Sequence, residues 1–234
     1  MRKFIIEDSF WELFPDAAIG VVVAKGINNE PGSTDFGDML KAASNKALQG
    51  VEGYELAKHP CISVWRDAYK KFKSPRENRS SIEALVRRVY NGKPVGSINP
   101  LVDIYNCVSL NHLLPCGGED LDVVRGDIML TRAEGNELFV PLGSGENQPP
   151  VNGEVIYKDE AGAICRCWNW READRTKLTE KTENTFLCIE SVDNSRREAF
   201  EAAVKELAEL VNKYLGGSQQ VSFLDKNNRE IVIE

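Results

Sequence analysis

Between residues 99 and 122 the chain reads Asn99-Pro-Leu-Val-Asp-Ile-Tyr-Asn106 and then, after eight further residues, Pro115-Cys-Gly-Gly-Glu-Asp-Leu-Asp122. The first segment predicts the start of a helix, because asparagine is a preferred N-cap residue and proline suits the first helical position. This helix is expected to run to about Leu114. The second segment predicts a tight turn, whose paired glycines would let backbone amides approach a ligand closely. From Asp127 onward the pattern is typical of strands, so helices come mostly early and strands mostly late.

The remaining helices are predicted from apolar residues at helical spacing. They cover residues 35–48 and 62–72, a segment that begins at the capping box Ser80-Ser81-Ile82-Glu83, and a long last helix capped by Ser195. Short β-branched runs between turn residues predict strands. These strands are 18–24, 128–132, 137–140, 154–157, 163–168 and 185–190, followed by a final hairpin of 220–224 and 230–233. We therefore expect an α+β fold with mixed or antiparallel sheets and packed helices, in a single domain spanning residues 1–234.

The composition narrows the function classes. With 234 residues and a net charge of −7, the chain is not expected to be a general nucleic-acid coat protein, although a local basic patch can still bind RNA. No apolar run approaches about 18 residues, so no membrane span is expected. The N-terminal segment lacks the apolar stretch and cleavage site of a signal peptide. These observations predict a cytoplasmic protein with neither a membrane nor DNA as a partner.

Six cysteines are scattered along the chain, namely Cys61, Cys107, Cys116, Cys165, Cys167 and Cys188. Without an export signal they are expected to be reduced residues of the core. Cys165 and Cys167 alternate on a predicted strand, so both would face the same side. A metal pair there is the alternative, but His59 and His112 lack zinc-ligand spacing to it. We predict no metal and no cofactor.

One segment, residues 64–93, concentrates positive charge. It holds nine basic residues against three acidic ones, so its local charge is +6 while the whole chain is acidic. Such segregation suits contact with a phosphate backbone, and the alternative is a pair of solvated helix faces. The residues predicted to bind tRNA are Arg66, Lys70, Lys71, Arg79, Arg87 and Arg88.

Two further motifs carry polar groups suited to a ligand site. Asp103 and Asn106 lie three residues apart on a helix and would share one side, where the amide of Asn106 could grip an ester or a ribose. Its alternative role is that of a buried structural amide. Further along, the block Arg166-Cys-Trp-Asn-Trp-Arg-Glu-Ala-Asp-Arg175 combines indoles with arginines, which stack well on bases and aromatic groups. On a strand, Trp168 and Trp170 would share one face with Asn169 opposite.

The order of these motifs resembles the editing domain in the beta subunit of phenylalanyl-tRNA synthetase. The residues that carry the resemblance are Ser80-Ser81, Leu85-Val-Arg-Arg88, Asn99–Asn106, Pro115-Cys-Gly-Gly-Glu-Asp120, Gly126-Asp-Ile128, Ala133-Glu-Gly-Asn-Glu137, Leu142-Gly143 and Thr182-Glu-Asn184. The chain also resembles small stand-alone bacterial and archaeal proteins with this B3/B4 domain, which share His59-Pro60, Trp65-Arg66 and Trp168-Asn-Trp-Arg171. The closest match covers residues 79–190, and the flanking residues would be extensions specific to the stand-alone proteins.

In the synthetase this domain hydrolyses tyrosine wrongly attached to the phenylalanine tRNA. The resemblance therefore implies a deacylase that acts in trans on aminoacyl-tRNA, and it implies no aminoacylation, because the chain has no room for a class II catalytic core. Tyr105 stands where the family has a threonine, Gly117 where it has the pocket histidine, and the block Trp168-Asn-Trp-Arg171 where it has Met-Gly-Gly. These departures mean that tyrosine specificity is not carried over.

An aminoacyl ester is already activated, so its hydrolysis needs a placed water, hydrogen bonds for the developing oxyanion and a pocket for the side chain. We expect Asn106 and the backbone at Gly117 and Gly118 to bind the ester carbonyl, and Asp120 to position the water. The expected substrate-binding residues are Tyr105, Trp168, Asn169, Trp170, Arg171 and Arg175. These segments are predicted to converge on one pocket.

Two other functions remain open at this point. One is a binding module that holds a free amino acid or a nucleotide in the same pocket without turnover, which the family departures favour. The other is a regulatory protein that binds tRNA or a synthetase, which the basic segment favours together with the deacylase. The expected partners are tRNA or aminoacyl-tRNA, or a small amino-acid-like ligand.

Overall fold

Six α-helices form in the residues that the computed structural model describes, which are 1–32 and 34–234. They are α1 (Asp8–Trp11), α2 (Gly37–Gly50), α3 (Pro60–Ala68), α4 (Ser81–Tyr90), α5 (Pro100–His112) and α6 (Arg197–Leu215). Two predicted caps are present, since the Ser80 hydroxyl accepts from the backbone N–H of Glu83 and the Asn99 side chain from that of Val102. Ser195 is not the cap of α6. It lies in a 3₁₀ turn, Asn194–Arg196, that Asp193 caps.

The β-strands of this described part form two sheets. In chain order they are β1 (Lys3–Ile6), β2 (Ala18–Lys25), β3 (Cys116–Asp120), β4 (Ile128–Arg132), β5 (Val155–Asp159), β6 (Gly162–Arg166), β7 (Arg171–Glu172), β8 (Asn184–Ser191), β9 (Ser218–Leu224) and β10 (Glu230–Val232). The six-stranded sheet has the order β10-β1-β4-β5-β6-β7 and is mixed, because β1 and β4 are parallel. The four-stranded sheet, β3-β8-β2-β9, is antiparallel throughout. The predicted α+β class with mixed and antiparallel sheets is confirmed.

Side-chain alternation along β8 explains how the layers pack. Phe186 and Cys188 face the six-stranded sheet and share a core with Tyr157 and Cys165. The intervening residues of β8 face the opposite way, into a second core with α5 and α6. The apolar faces of α3 and α4 join the first core. The four-stranded sheet is therefore covered on both faces, which accounts for the nearly continuous apolar sequence of β2 and β8.

Three local predictions are wrong. Residues 116–120 form a strand rather than a tight turn, and Gly118 lies so close to β8 that a Cβ there would be 2.4 Å from Leu187 Cδ2. Residues 137–140 form no strand, and the Glu137 carboxylate instead accepts the backbone N–H groups of residues 134–136. The predicted strand 163–168 stops at Arg166, because Cys167 and Trp168 turn the chain with positive φ angles of 48° and 65°.

The predicted C-terminal hairpin is also wrong in its pairing. Strand β9 pairs with β2, whereas β10 pairs with β1 in the other sheet. Only the turn between them, the bridge of Asp225 and Asn228, has the expected form. The C-terminus thus ties the two sheets together. No helix of the described residues is long and apolar enough to cross a membrane.

Candidate functional site

A cavity of about 440 Å³ opens between the two sheets. Its walls come from β3 and β8 of the four-stranded sheet, from Tyr157 and Cys165 of the six-stranded sheet, and from the turn that follows β6. Helices α4 and α5 close the side nearest the helical layer. A space of this size accommodates a small organic group such as an amino acid side chain with its carboxyl function.

Helix α4 has three faces with different roles. Ser81, Ala84, Leu85 and Arg88 follow helical spacing and line the cavity. A second face, 82, 86 and 89, is buried in the core. The third carries Glu83 and borders a separate groove on the other side of the helix. One helix therefore separates two regions that could each contact a ligand.

Helix α5 brings Tyr105 and Asn106 to the cavity wall. Its neighbour Asp103 does not reach the cavity, although the sequence placed the two polar residues on one side. The buried Asp103 carboxylate accepts hydrogen bonds from the Ser97 hydroxyl and from the backbone N–H of Ile98 at 2.9 Å. Asp103 therefore fixes the chain entering the helix, whereas the Asn106 side chain makes no hydrogen bond within residues 1–32 and 34–234 and lines the cavity.

The structure brings most of the predicted site residues into this one cavity. Those that line it are Tyr105, Asn106, Gly117, Gly118, Trp168, Asn169, Trp170 and Arg171, together with Arg88 of the basic segment. Asp120 lies outside it, where its carboxylate accepts from the Thr182 hydroxyl at 2.6 Å. Arg175 also lies outside it, in an ion pair with the buried Asp159 at 2.8 Å. Both hold loops in place beside the sheet.

The Trp168–Trp170 turn differs from the predicted strand. Trp168 is fully buried, and its ring packs edge-on against Phe10 and Trp65 at centroid distances of 4.9 Å. The next residue, Asn169, accepts from the Tyr69 hydroxyl at 3.1 Å and donates to Glu190 Oε2 at 2.6 Å. Trp168 is thus mainly a core residue that fixes the turn. Asn169 links Tyr69, at the end of α3, to Glu190 on β8.

The chain matches a known protein family. A family model described as the B3/4 domain matches residues 64–216, which is more than half of the chain. The chain belongs to the B3/4 domain family. No curated protein matches it. Among solved structures it is similar to an N-terminal fragment of the phenylalanyl-tRNA synthetase beta subunit from Pyrococcus horikoshii, with a TM-score of 0.49, 12% identity and 97% of this chain covered. The match covers 53% of that fragment, so the chain spans about half its length.

Three glutamates that the sequence analysis did not single out line the cavity of this B3/4 domain. They are Glu119 on β3, Glu172 on β7 and Glu190 on β8. Burial raises the pKa of Glu190 to about 7, against the hydrogen bonds that it accepts from the Tyr157 hydroxyl at 2.6 Å and from Asn169. Burial also raises the pKa of Glu172 to about 7, while the Gly118 N–H favours its ionised form. These carboxyls can exchange protons near neutral pH.

Glu119 differs from the other two because its carboxyl is incompletely bonded. The side chain is 5% exposed, and its Oε2 has no partner at hydrogen-bond geometry among the described residues, although the Thr176 hydroxyl, which also lacks a partner there, is near enough to lower the pKa of Glu119. Burial, and next the negative charge of Glu172, raise the pKa of Glu119 well above its usual range. The Trp168 indole N–H, which belongs to another cavity-lining residue, also lacks a partner at hydrogen-bond geometry there, although it is near enough to Glu190 to lower the pKa of that carboxyl. Unpaired buried groups of this kind are uncommon and point to water or a ligand.

The groove on the other side of α4 holds three of the six predicted tRNA-binding residues of the B3/4 domain, namely Arg66, Lys70 and Arg79. It has a volume of about 620 Å³ and is lined by Arg66, Lys70, Arg76 and Arg79 above aromatic residues. Glu83, which is fully buried, pairs with Arg66 at 2.5 Å, with Arg87 at 2.8 Å and with Arg79 at 3.2 Å. Glu83 therefore offsets part of the charge that the basic segment carries.

The remaining predicted tRNA-binding residues have separate surroundings. Lys71 lies over the Phe14 ring at 5.2 Å, and the Arg88 guanidinium donates to the Pro94 carbonyl at 2.6 Å beside the cavity. Lys70 pairs with the exposed Asp67 at 2.7 Å. The six residues thus do not form one uniform patch. Arg66, Arg79 and Arg87 form a cluster that Glu83 partly neutralises, whereas Lys70 lies at the groove edge and Arg88 at the cavity rim.

The cysteines contact no cluster of metal ligands. The described residues contain no group of three or more histidine, cysteine, aspartate and glutamate side chains that could hold a metal ion. Cys165 and Cys167 are free and buried, and burial raises the pKa of both thiols. Because Cys167 lies in the turn after β6, the two residues do not alternate on one strand as predicted.

Proposed function

We propose that this B3/4 domain hydrolyses the ester bond of an aminoacyl-tRNA and that the reaction takes place in the cavity between its two sheets. The observation that carries the proposal is the meeting of Asn106, the Gly117–Gly118 backbone and the half-buried Glu172, whose pKa desolvation raises, in one cavity. An ester hydrolase of this kind needs an oxyanion contact and a base, and no side-chain nucleophile.

In the proposed reaction, water attacks the carbonyl carbon of the aminoacyl ester. Asn106 donates a hydrogen bond to the carbonyl oxygen as it becomes negative, and Glu172 takes a proton from the water. The bond from the carbonyl carbon to the ribose oxygen then breaks, and Glu172 returns the proton to that oxygen. Glu172 suits this role because burial raises its pKa to about 7, which balances proton uptake against proton release at neutral pH. Glu172 takes the role in activating the water that was expected of Asp120, because Asp120 lies outside the cavity.

Other cavity residues are proposed to bind the aminoacyl group. Tyr105 and Trp170 supply apolar surface, with the buried Trp168 behind them, while Asn169 is already bonded to Tyr69 and Glu190 and keeps the turn in place. Arg171 is exposed at the mouth. A cation in that position favours the terminal phosphates of a nucleic acid.

The tRNA is proposed to contact the basic side of α4. Lys70 and Arg76 are exposed there at the groove, and Arg88 is exposed on the opposite face of α4, at the cavity rim. Contacts to phosphates neutralise backbone charge and release counterions, so binding should weaken steeply with salt. Arg66, Arg79 and Arg87 contribute a smaller net charge because they share Glu83.

The experiment is to incubate the purified protein with a panel of aminoacyl-tRNAs and to measure loss of the ester. Wild-type protein should deacylate at least one member. Asn106→Ala should slow that reaction about 100-fold, because it removes a single oxyanion donor, and should change the free energy of unfolding by less than about 1 kcal/mol. Asn111→Ala, on the same helix but outside the cavity, is the matched control and should retain the wild-type rate.

Ligand binding without ester loss across the whole panel would instead support the binding module, and would reject hydrolysis. An equal loss of activity and of stability in Asn106→Ala would return Asn106 to the role of a structural amide.

A further inference from the structure

The cavity separates charge by depth. Its exposed cations, Arg88 and Arg171, belong to the side near solvent, and the Arg171 guanidinium donates to the Leu142 carbonyl at 3.0 Å. Its acids are less exposed than these cations, since Glu119 and Glu190 are buried and Glu172 is half-buried. A ligand that enters would therefore meet positive charge first and carboxyl groups further in.

The three acids are not equally available to a ligand. Both oxygens of Glu190 are engaged, one by the Tyr157 hydroxyl and one by the Asn169 amide. Glu172 lies 3.2 Å from the position that a Cβ on Gly117 would occupy, so it stands against the proposed carbonyl site. Glu119 is almost wholly buried and has an oxygen without a partner. Glu119 is therefore the carboxyl with free capacity to accept hydrogen bonds.

Alternation on β3 directs Glu119 to the cavity side. Gly117 and Glu119 are two residues apart on this strand, so they face the same way, and Gly118 faces Leu187 on the other side. Because Gly117 has no side chain, nothing of β3 itself stands between Glu119 and the carbonyl site. A group bonded to the carbon next to the ester carbonyl would lie within reach of both positions.

We propose that Glu119 binds a primary ammonium group of the substrate amino acid. This inference rests on the proposed function and names the substrate class of the same site. An ammonium supplies three donors and a positive charge, which match an unpaired carboxyl oxygen in a carboxyl-lined cavity. A metal ion is the other cation that carboxylates hold, but the described residues offer no group of three suitable ligands. The ammonium can be the α-amino group or a side-chain amine, and both share this chemistry.

Binding of an amine that is already protonated should release the proton of Glu119. In the free protein, burial and the charge of Glu172 favour the protonated form of Glu119, and its pKa lies well above the usual range. A bound cation favours the ionised form, so the carboxyl loses its proton as the ligand enters. The Thr176 hydroxyl is a neutral donor beside Glu119, and the groups whose charge interacts with Glu119 are Glu172, Asp159, Arg175, Tyr105, Cys165 and Cys188.

The test uses three methyl esters and isothermal titration calorimetry. L-norleucine methyl ester carries only the α-ammonium, Nα-acetyl-L-lysine methyl ester carries only the side-chain ammonium, and Nα-acetyl-L-norleucine methyl ester carries neither. At least one ammonium ester should bind at least about tenfold more tightly than the neutral ester. Titrations at about pH 6, where the amines are protonated before they bind, should show a proton released on binding when phosphate and Bis-Tris buffers, whose ionisation enthalpies differ, are compared.

Glu119→Gln should abolish both the preference for the ammonium and the proton release, while the neutral ester binds as in wild type. Glu180→Gln, an exposed acid outside the cavity, is the matched control and should behave as wild type. The ester that wild-type protein prefers identifies the source of the ammonium. If the neutral ester binds as tightly as the ammonium esters, or if Glu119→Gln keeps the preference, the proposal is rejected.

These experiments distinguish failure of the ammonium site from failure of the proposed hydrolysis. Ammonium binding that depends on Glu119, together with no ester loss from any aminoacyl-tRNA, would reject hydrolysis and retain the ammonium site. Ester loss that proceeds equally well when the substrate amino group is acetylated would reject the ammonium site and retain the reaction.

Discussion

The two sides of helix α4 carry charge in opposite ways. On one side the groove brings Arg66, Arg79 and Arg87 around Glu83, so that a buried acid has three cations as partners. On the other side the cavity contains Glu119, a buried acid with an oxygen that has no partner in the described part of the chain. Glu83 is surrounded by positive charges, whereas Glu119 has an oxygen without a hydrogen-bond partner among the described residues.

This difference separates a structural charge from a charge available to a ligand. Glu83 has its pKa lowered by hydrogen bonds from Arg66 and Arg87, which outweigh its burial. Glu119 has its pKa raised, first by burial and then by Glu172. A buried ion pair makes the fold specific, whereas an unpaired buried acid is costly unless something binds to it. The charge at the groove is therefore part of the fold, whereas the cavity contains an acid that is available to a ligand.

The largest expected effect is a loss of stability when the ion pairs on the groove side of α4 are broken. Glu83→Gln removes the negative charge that three arginines share and leaves their guanidinium groups facing one another. Because Glu83 is buried while the arginines are partly exposed, we expect the free energy of unfolding to fall by about 3 kcal/mol. Urea denaturation measures the change.

The control for that variant is Asp67→Asn, which breaks the exposed pair with Lys70 and should change stability by less than about 0.5 kcal/mol. If the two variants lose the same stability, Glu83 is not the structural centre of the basic cluster.

A pH titration of stability sharpens the comparison on the cavity side. The pKa of Glu190 rises on folding from 4.5 to about 7, so between these values the folded state keeps a proton that the unfolded state has released. Its contribution to stability is therefore complete below about pH 4.5 and is lost as the pH rises through 7. Relative to Glu190→Gln, wild-type protein should lose about 2 kcal/mol of stability between pH 5 and pH 7.

The measurement is a set of urea denaturation curves for both proteins across that range, with Glu180→Gln as a control whose curve should parallel wild type. Parallel curves for Glu190→Gln and wild type would mean that Glu190 titrates at its ordinary pKa and that the cavity is well solvated.

The smallest expected effects come from the cations at the groove edge and the cavity rim. Lys70→Glu and Arg88→Glu should each weaken tRNA binding by about threefold to tenfold and should reduce its salt dependence by about one counterion. Lys226→Glu, an exposed residue of the β9–β10 turn, should have no effect. Filter binding at several salt concentrations measures both quantities. Equal losses for Lys226→Glu would show that only net charge matters and would remove the assignment of an RNA-binding side.

Sequence patterns predicted much of the fold because they report on local chemistry. The caps Ser80 and Asn99 and the strand at residues 128–132 follow from side chains that act within a few residues of their own backbone. The C-terminal hairpin was wrong because a turn specifies only that the chain reverses. Which sheet each strand then joins depends on partners such as β1 and β2, which are distant in sequence.

The order of motifs in the sequence also predicts part of the site. Asn106 and Gly117 were found through motif order, and they do line the cavity. Glu119, Glu172 and Glu190 were missed because acids beside turns and arginines have the pattern of solvated residues. One usable signal was present at Glu190, which ends the apolar run Phe186-Leu-Cys-Ile-Glu190, where alternation directs it to the same side as Phe186 and Cys188.

The most direct test of the whole account is to fill the cavity without disturbing the fold. Gly117→Val suits this purpose, because a Cβ there meets only Glu172 Oε1 at 3.2 Å and a β-branched residue fits a strand. Gly118→Val is the matched comparison, because its Cβ would lie 2.4 Å from Leu187 in the core and should destabilise the protein instead. Deacylation of aminoacyl-tRNA and the free energy of unfolding are measured for both. The account predicts that Gly117→Val loses nearly all activity and keeps wild-type stability, and full activity in this variant would contradict the placement of the site between the two sheets.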